Sequence, residues 1–404
     1  MKPMPAIAYL ECSRCHHHVS IETRHHASMP PSVCPQDGGA LLVRYAMETL
    51  RTAVRREHAA ELAARCGSSV GMWRYAEVLP DVTPVTLGEG WTPLLQSRRN
   101  AGLMIKDEGA NPTGTWEARG MAMAVAMIAS MAENHAAGQR GAVHLLASSR
   151  GLAAYAAAGE MKAHLFLPRD LSLPEYLGAV VHGAEVHLVD GPPGECGLRL
   201  EEEIHRRQQA AGTASTDLWM DLSPLREPFR VEGDKTLGYE LVEQIGWQYP
   251  DALLYPLCDA VGLIGVWKAF EEMEALGWVS GRRPRVYVGR TATSGLAVEL
   301  ESMILGIVIA SGGRVVAVDD GANLVSLLDW AGKEGICLSL QGAAAAALHP
   351  LLLASGEIQP GQRIVLVNTA AGLKDADTIS HAMPLRRPGS LPSSLPVGGI
   401  ITPV

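Results

Sequence analysis

The sequence predicts an α/β protein of more than one domain, preceded by a small cysteine-bearing arm. Three observations carry this. Apolar runs of strand length alternate with Ala- and Leu-rich helical stretches through both halves of the chain, the pattern of a mostly parallel sheet covered by helices. The 404 residues exceed what one small core organises, at roughly 100–200 residues per domain. Three of the 7 cysteines, Cys12, Cys15 and Cys34, gather near the start, apart from that alternation.

Residues 1–45 read as a separate unit. LECSRCHHHVS and VCPQDGGALLVRY look like two metal-binding knuckles. The C-x-x-C spacing of Cys12 and Cys15 lets one tight turn present two thiolates to a tetrahedral ion. The second knuckle gives Cys34-Pro35-Gln36-Asp37, so a fourth thiolate is missing. Either Asp37 or one of His16, His17, His18, His25 and His26 completes a zinc site, or the ribbon has lost its metal and folds by packing alone.

Residues 48–80 read as helical, with Arg and Glu interleaved on an Ala/Leu face. MWRYAEVLP and VTPVTLGEGWTPLL are rich in turn residues and short strands. MAMAVAMIASMAENHAAG is a helix ended by Gly138. GAVHLLASS, AHLFLP and AEVHLVDG are strands, with GLAAYAAAGEMK a helix between the first two. DALLYPL, RVYVGR, GRVVAVDD and QRIVLVNTAAG are strands of the second half, and GLIGVWKAFEEMEALGW, GLAVELESMILG and QGAAAAALHPLLLASG its helices. Ligands of open α/β sheets bind beyond the carboxyl ends of the strands. The loops after ASS, YPL and VNT are therefore where a site is expected.

Composition narrows the function. Hydrophobic residues make up 47% and charged residues 19%, a globular balance. A net charge of −9 argues against general nucleic-acid binding, which needs a basic surface. No apolar run reads as a membrane span, and the start lacks the pattern of a signal peptide, so a cytoplasmic protein is expected. The cysteines do not form a disulfide framework.

Seven stretches, in order, then carry a resemblance. The Cys ribbon, MWRYAEVLP, LGEGWTPLL, KDEGANPTGTWEARG, DLSPLREPFRVEGDKTLGYELVEQIGW, GLIGVWKAFEEMEALGW and VNTAAGLKD together resemble threonine synthase, of the fold-type-II pyridoxal-phosphate (PLP) family that includes tryptophan synthase β. The resemblance implies a two-domain α/β fold with PLP in the cleft, and chemistry on O-phosphohomoserine that releases phosphate. It implies an arm over 1–45, a large domain from 46–130 and 211–380, a small domain from 131–210 and a flexible tail over 381–404. It also implies a homodimer.

At four cofactor contacts the sequence departs from that family. Glu117 in Gly114-Thr115-Trp116-Glu117 stands where the family has its Schiff-base lysine. Pro256-Leu257-Cys258-Asp259-Ala260-Val261-Gly262 has lost glycines from the phosphate loop, and Asp259 adds negative charge. Ser148-Ser149-Arg150-Gly151 replaces the loop that holds the ring hydroxyl. Ala370-Ala371 removes the hydroxyl that meets the pyridine nitrogen. These departures imply no PLP and a repurposed, cofactor-independent enzyme of the lyase, isomerase or hydrolase class. Its substrate is a small anionic molecule, phosphorylated or amino-acid-like, with Glu117 as acid or base. The alternative is a non-catalytic protein, a ligand sensor or partner of an active enzyme. A third reading keeps PLP on another lysine, Lys106 or Lys268.

The remaining site residues follow from the same comparison. Arg230 matches an arginine that holds the substrate phosphate, a task its planar fork suits. Lys106, Asn111, Ser148, Ser149 and Arg150 complete the expected substrate site. Arg150 is expected to bridge Glu117 or Asp259, since a buried carboxylate must be paired or protonated.

Overall fold

The computed structural model describes residues 7–21, 31–66, 68–135, 141–149, 151–191, 193–211, 217–257, 260–292 and 298–382. Among these, the strands fall into three sheets. The arm holds β1 (Ile7–Cys12), β2 (His18–Val19) and β3 (Leu41–Tyr45), ordered β2-β1-β3 and antiparallel.

The largest sheet takes β4 (Leu94–Gln96) and β5 (Leu103–Asp107) from the first half of the chain. The smaller sheet is built from β6 (Val143–Ala147), β7 (Lys162–Pro168), β8 (Glu185–Val189) and β9 (Leu218–Asp221). Returning to the largest sheet, the chain adds β10 (Ala252–Pro256), β11 (Arg285–Arg290), β12 (Arg314–Ala317) and β13 (Ile364–Asn368). The orders are β12-β11-β10-β13-β5-β4 and β8-β7-β6-β9. All pairings in these two sheets are parallel except β4 against β5.

The central strands explain why this pattern was readable. ALLYP of β10 and IVLVN of β13 are buried at every position. Helices cover both faces of such a sheet, so continuous apolar runs replace the alternation of a half-exposed strand. Parallel strands need long crossovers, and helices between the strands supply them.

Four expectations change. Residues 48–80 are not one helix. Helices Met47–Ala53 and Glu57–Cys66 are separated at Val54, which is extended and buried, and Ser68–Val78 forms 3₁₀ turns. The small domain does not end at 210. β9 pairs in parallel with β6 through Val143↔Leu218, so residues 218–221 complete that sheet. Helix Glu117–His135 also runs unbroken across the expected boundary at 130. Strand pairing sets these limits, and local composition does not record it. Finally, His381 and Ala382 close helix Ala376–Ala382, where the His381 ring lies 2.7 Å from the Asp377 carbonyl. The rest of the expected tail, 383–404, lies outside the described residues. Among the described residues no helix is long and apolar enough to cross a membrane.

Two ion networks are enclosed in the core. In one, Arg119 donates to Glu108 and Glu240, and Lys106 donates to Glu240, all with fully buried side chains. In the other, Lys235 and Lys268 share Glu232 and Glu272, and the Tyr45 hydroxyl donates to Glu232 at 2.5 Å. The second network ties the last strand of the arm to the body of the protein.

Candidate functional site

The site is built around the start of helix Glu117–His135. Its approach is the turn Asn111-Pro112-Thr113-Gly114, where Gly114 has φ 68° and its N–H donates to the Asn111 carbonyl at 2.7 Å. Asn111 holds this turn with its side chain. Its carbonyl oxygen accepts from Gly90 N–H at 3.0 Å, and its amide donates to Glu108 at 2.8 Å. The next residues are stitched to the loop after β13. Thr115 bridges Ala370, and Trp116 N–H donates to the Thr369 carbonyl at 3.0 Å. The buried Trp116 ring packs against Gly262, where a Cβ would lie 2.9 Å from it. Glu117 is thereby set beside the carboxyl ends of β5 and β13.

A second helix, Arg230–Asp234, brings the countercharge. It crosses the first so closely that a Cβ on Gly233 would stand 2.0 Å from the Arg119 carbonyl oxygen. Only glycine permits that approach. Arg230 then faces Glu117, with Nη2 3.5 Å from Oε1. The Arg230 side chain is 1% exposed and that of Glu117 23%. Ser149, beyond the end of β6, donates its hydroxyl to Glu117 Oε2 at 2.8 Å.

Arg230 is incompletely satisfied. Nη1 donates to the Leu222 carbonyl at 2.8 Å, whereas Nε and Nη2 have no hydrogen-bond partner among the described residues. Two further acids crowd it. Asp234 is 1% exposed with both oxygens orphaned, and burial pushes its carboxyl well above the ordinary range against the pull of Arg230. Glu227 accepts from the backbone N–H of Phe229 and Arg230 at 2.6 and 2.9 Å, yet burial still pushes it up to about 7. The buried Thr369 hydroxyl is also without a partner among the described residues. Orphaned buried donors and acceptors are costly and rare, so their concentration here marks a place prepared for something else.

The expected residues divide accordingly. Glu117, Ser149 and Arg230 come together. Ser148, next to Ser149, is exposed. Ala371 lies at the edge, its N–H donating to the Gly114 carbonyl at 2.9 Å. Lys106 is corrected: it is enclosed, donating to Thr92 O at 2.7 Å and to Glu240, and presents no ammonium to a ligand. Asn111 shapes the turn. Arg150, Cys258 and Asp259 lie outside the described residues, and the partner of Glu117 is Arg230. The sequence alone did not single out Asp234 or Glu227. Their acidity around a conspicuous arginine was the available signal.

Comparisons with known proteins agree with this architecture. The model of the pyridoxal-phosphate dependent enzyme family matches residues 85–370. The chain is 30% identical over 382 residues to a threonine synthase of Methanocaldococcus jannaschii, covering 85% of this chain and 89% of that one. It is 31% identical over 352 residues to a threonine synthase of Mycobacterium tuberculosis, covering 77% and 90%. Among solved structures, a hydrogen sulfide-producing enzyme from Fusobacterium nucleatum matches with TM-score 0.52 at 18% identity, over 70% of this chain and 96% of that one. A pyridoxal 5'-phosphate-dependent aspartate racemase matches with TM-score 0.51 at 16% identity, over 70% and 90%. At such identities these structures establish the fold alone.

The relatives overturn two expectations. The altered letters implied that PLP is not used and that the chain is a cofactor-independent or non-catalytic protein. The family match and the threonine synthases at about 30% identity point to PLP as the cofactor instead. Altered side chains in four loops do not measure binding. The side chains do limit how the cofactor is held. An imine needs an amine, and position 117 supplies a carboxylate engaged by Arg230 and Ser149. Lys106, Lys235 and Lys268 are buried in ion pairs of the core. The residues at this position do not fit a cofactor bonded to the protein there.

Proposed function

Because the chain belongs to the pyridoxal-phosphate-dependent enzyme family and is threonine synthase-like, we propose that its cleft receives a small, phosphorylated, amino-acid-like anion where Arg230 meets Glu117 and Ser149. One observation carries this reading. Among the described residues, buried Arg230 keeps two nitrogens without hydrogen-bond partners, and one of them lies 3.5 Å from Glu117. A guanidinium with a free edge presents two parallel donors, the arrangement that phosphate and carboxylate accept in bidentate fashion.

Glu117 is the resident anion of that site. Its carboxylate neutralises Arg230 in the absence of ligand, and at 23% exposure it is the group that an arriving anion meets first. Ser149 holds Glu117 on one side and offers a hydroxyl once the carboxylate moves. Burial raises the Asp234 carboxyl well above the ordinary range, which favours its uncharged form and weakens repulsion toward an incoming phosphate. These residues act by charge exchange: one carboxylate leaves the guanidinium as another anion takes its place.

The test is calorimetric titration of the full chain with O-phosphohomoserine and with inorganic phosphate. Binding is expected in the wild type and weakens by about tenfold or more in Arg230→Lys, which keeps the charge and loses the fork. Equal affinity in the two proteins overturns the proposal.

A further inference from the structure

The arm contains a second candidate site, remote from Arg230, and its two knuckles are copies of one another. In the first, Cys12 and Cys15 are three residues apart, Arg14 N–H points to Cys12 Sγ at 3.4 Å, and His16 N–H donates to the Cys12 carbonyl at 3.2 Å. In the second, Gln36 N–H points to Cys34 Sγ at 3.4 Å, and Gly38 N–H donates to the Cys34 carbonyl at 2.9 Å. The fifth residue has a left-handed backbone in both, with φ 57° at His16 and 71° at Gly38. Cys12 N–H bonds the His17 carbonyl at 2.9 Å as Cys34 N–H bonds that of Gly39 at 2.7 Å. Superposed in this way, Asp37 is the counterpart of Cys15.

The side chains converge as that correspondence requires. Ligand atoms of Cys12, Cys15, Cys34 and Asp37 all lie within 4.8 Å of one another. Cys15 Sγ and Cys34 Sγ are 3.7 Å apart, and Cys12 Sγ is 3.3 Å from Asp37 Oδ1. A disulfide would hold its sulfurs at about 2.05 Å. Zn–S bonds of about 2.3 Å at tetrahedral angles put sulfurs roughly 3.8 Å apart. Gly39 leaves the space, since a Cβ there would stand 2.8 Å from Cys12 Sγ and 3.0 Å from Asp37 Oδ1. Two nearby histidines are turned elsewhere: His16 pairs with Glu11 at 3.2 Å, and His18 stacks on Tyr9. His25 and His26 lie outside the described residues.

We propose that Cys12, Cys15, Cys34 and Asp37 bind one zinc(II) ion, with the Asp37 carboxylate as the fourth ligand. Three thiolates and one oxygen fill a tetrahedral shell, so the site is structural, with no position open to substrate. Its purpose is docking. Both knuckles clasp Glu299, near the start of helix Val298–Ser311, through the Ser13 hydroxyl at 3.0 Å, Arg14 Nη2 at 2.8 Å and Ala40 N–H at 2.8 Å. The ion fixes the two turns relative to each other and so forms the cradle for that carboxylate.

The experiment uses the full chain purified without chelator. Elemental analysis is expected to find one zinc per chain. Cobalt(II) exchange is expected to give thiolate charge-transfer bands with tetrahedral d–d bands. Asp37→Ala weakens zinc by more than about tenfold in a competition titration, whereas Asp37→Cys retains it and intensifies the charge-transfer band. Either of two results overturns the proposal: a metal-free or iron-bearing wild type with Cys15 and Cys34 joined as a disulfide or free, or zinc affinity unchanged by Asp37→Ala. The Asp37→Cys variant guards against misfolding of the alanine variant, because it restores the shell in the same turn.

Discussion

Glu117 and Arg230 confront each other 3.5 Å apart across two helices, the acid partly open to solvent and the guanidinium enclosed. The geometry is that of an occupied anion site in which the anion belongs to the protein. Glu117→Gln removes the resident charge and keeps the shape. Phosphate affinity measured by calorimetry is expected to rise about tenfold, or about 1.4 kcal/mol. Unchanged or weaker binding would mean that Glu117 assists the ligand.

Restoring an amine at this point has a predictable result. In Glu117→Lys the new ammonium faces Arg230, and a neighbouring cation lowers a lysine's pKa and raises its nucleophilicity. Incubated with PLP and reduced with borohydride, the variant is expected to carry the cofactor at position 117 by peptide mass mapping. An unlabelled peptide would show that the other altered loops bar the cofactor.

Stability should fall as pH rises from 4.5 to about 7. Glu227, pushed from 4.5 up to about 7 by burial, favours its protonated form in the folded chain. Its contribution is full below pH 4.5 and is lost as pH climbs through about 7. The loss is on the order of 3 kcal/mol. Asp234 is raised also and adds to the same slope. In urea unfolding at a series of pH values, Glu227→Gln is expected to flatten this fall, leaving the part due to Asp234. A slope equal to that of the wild type would refute the assignment.

Lys106 should behave as a core residue. Lys106→Met strips one cation from the buried Glu240, which keeps Arg119. Removing one partner of a buried pair costs about 3–5 kcal/mol, here moderated by the remaining arginine. The check is a lowered urea midpoint with phosphate affinity unchanged in the folded protein. Lost affinity with full stability would return Lys106 to the ligand site.

Much of this protein was legible beforehand. IVLVN and ALLYP declared buried strands because nothing charged interrupts them, and both are buried throughout. The run MAMAVAMIASMAENHAAG announced most of the helix that spans Glu117–His135. Arg230 was singled out by its neighbours in REPFRVEGDKT. Less legible were Lys106 and Asn111, which carry polar groups that look available in a string of letters and are consumed inside the fold. The boundary at 210 failed because β9 joins β6 by pairing, which leaves no compositional trace.

The sequence by itself determined most of the elements, the family and the letters that depart from it, since apolar runs, turn residues and motif order are local and survive without coordinates. Only the tertiary structure decided which charges meet: Arg230 with Glu117, Lys106 with Glu240, and Asp37 with three cysteines. The reason is physical. A charged side chain carries no mark of its partner, and the partner is chosen by whichever helix or turn folding brings close enough to offset its loss of water.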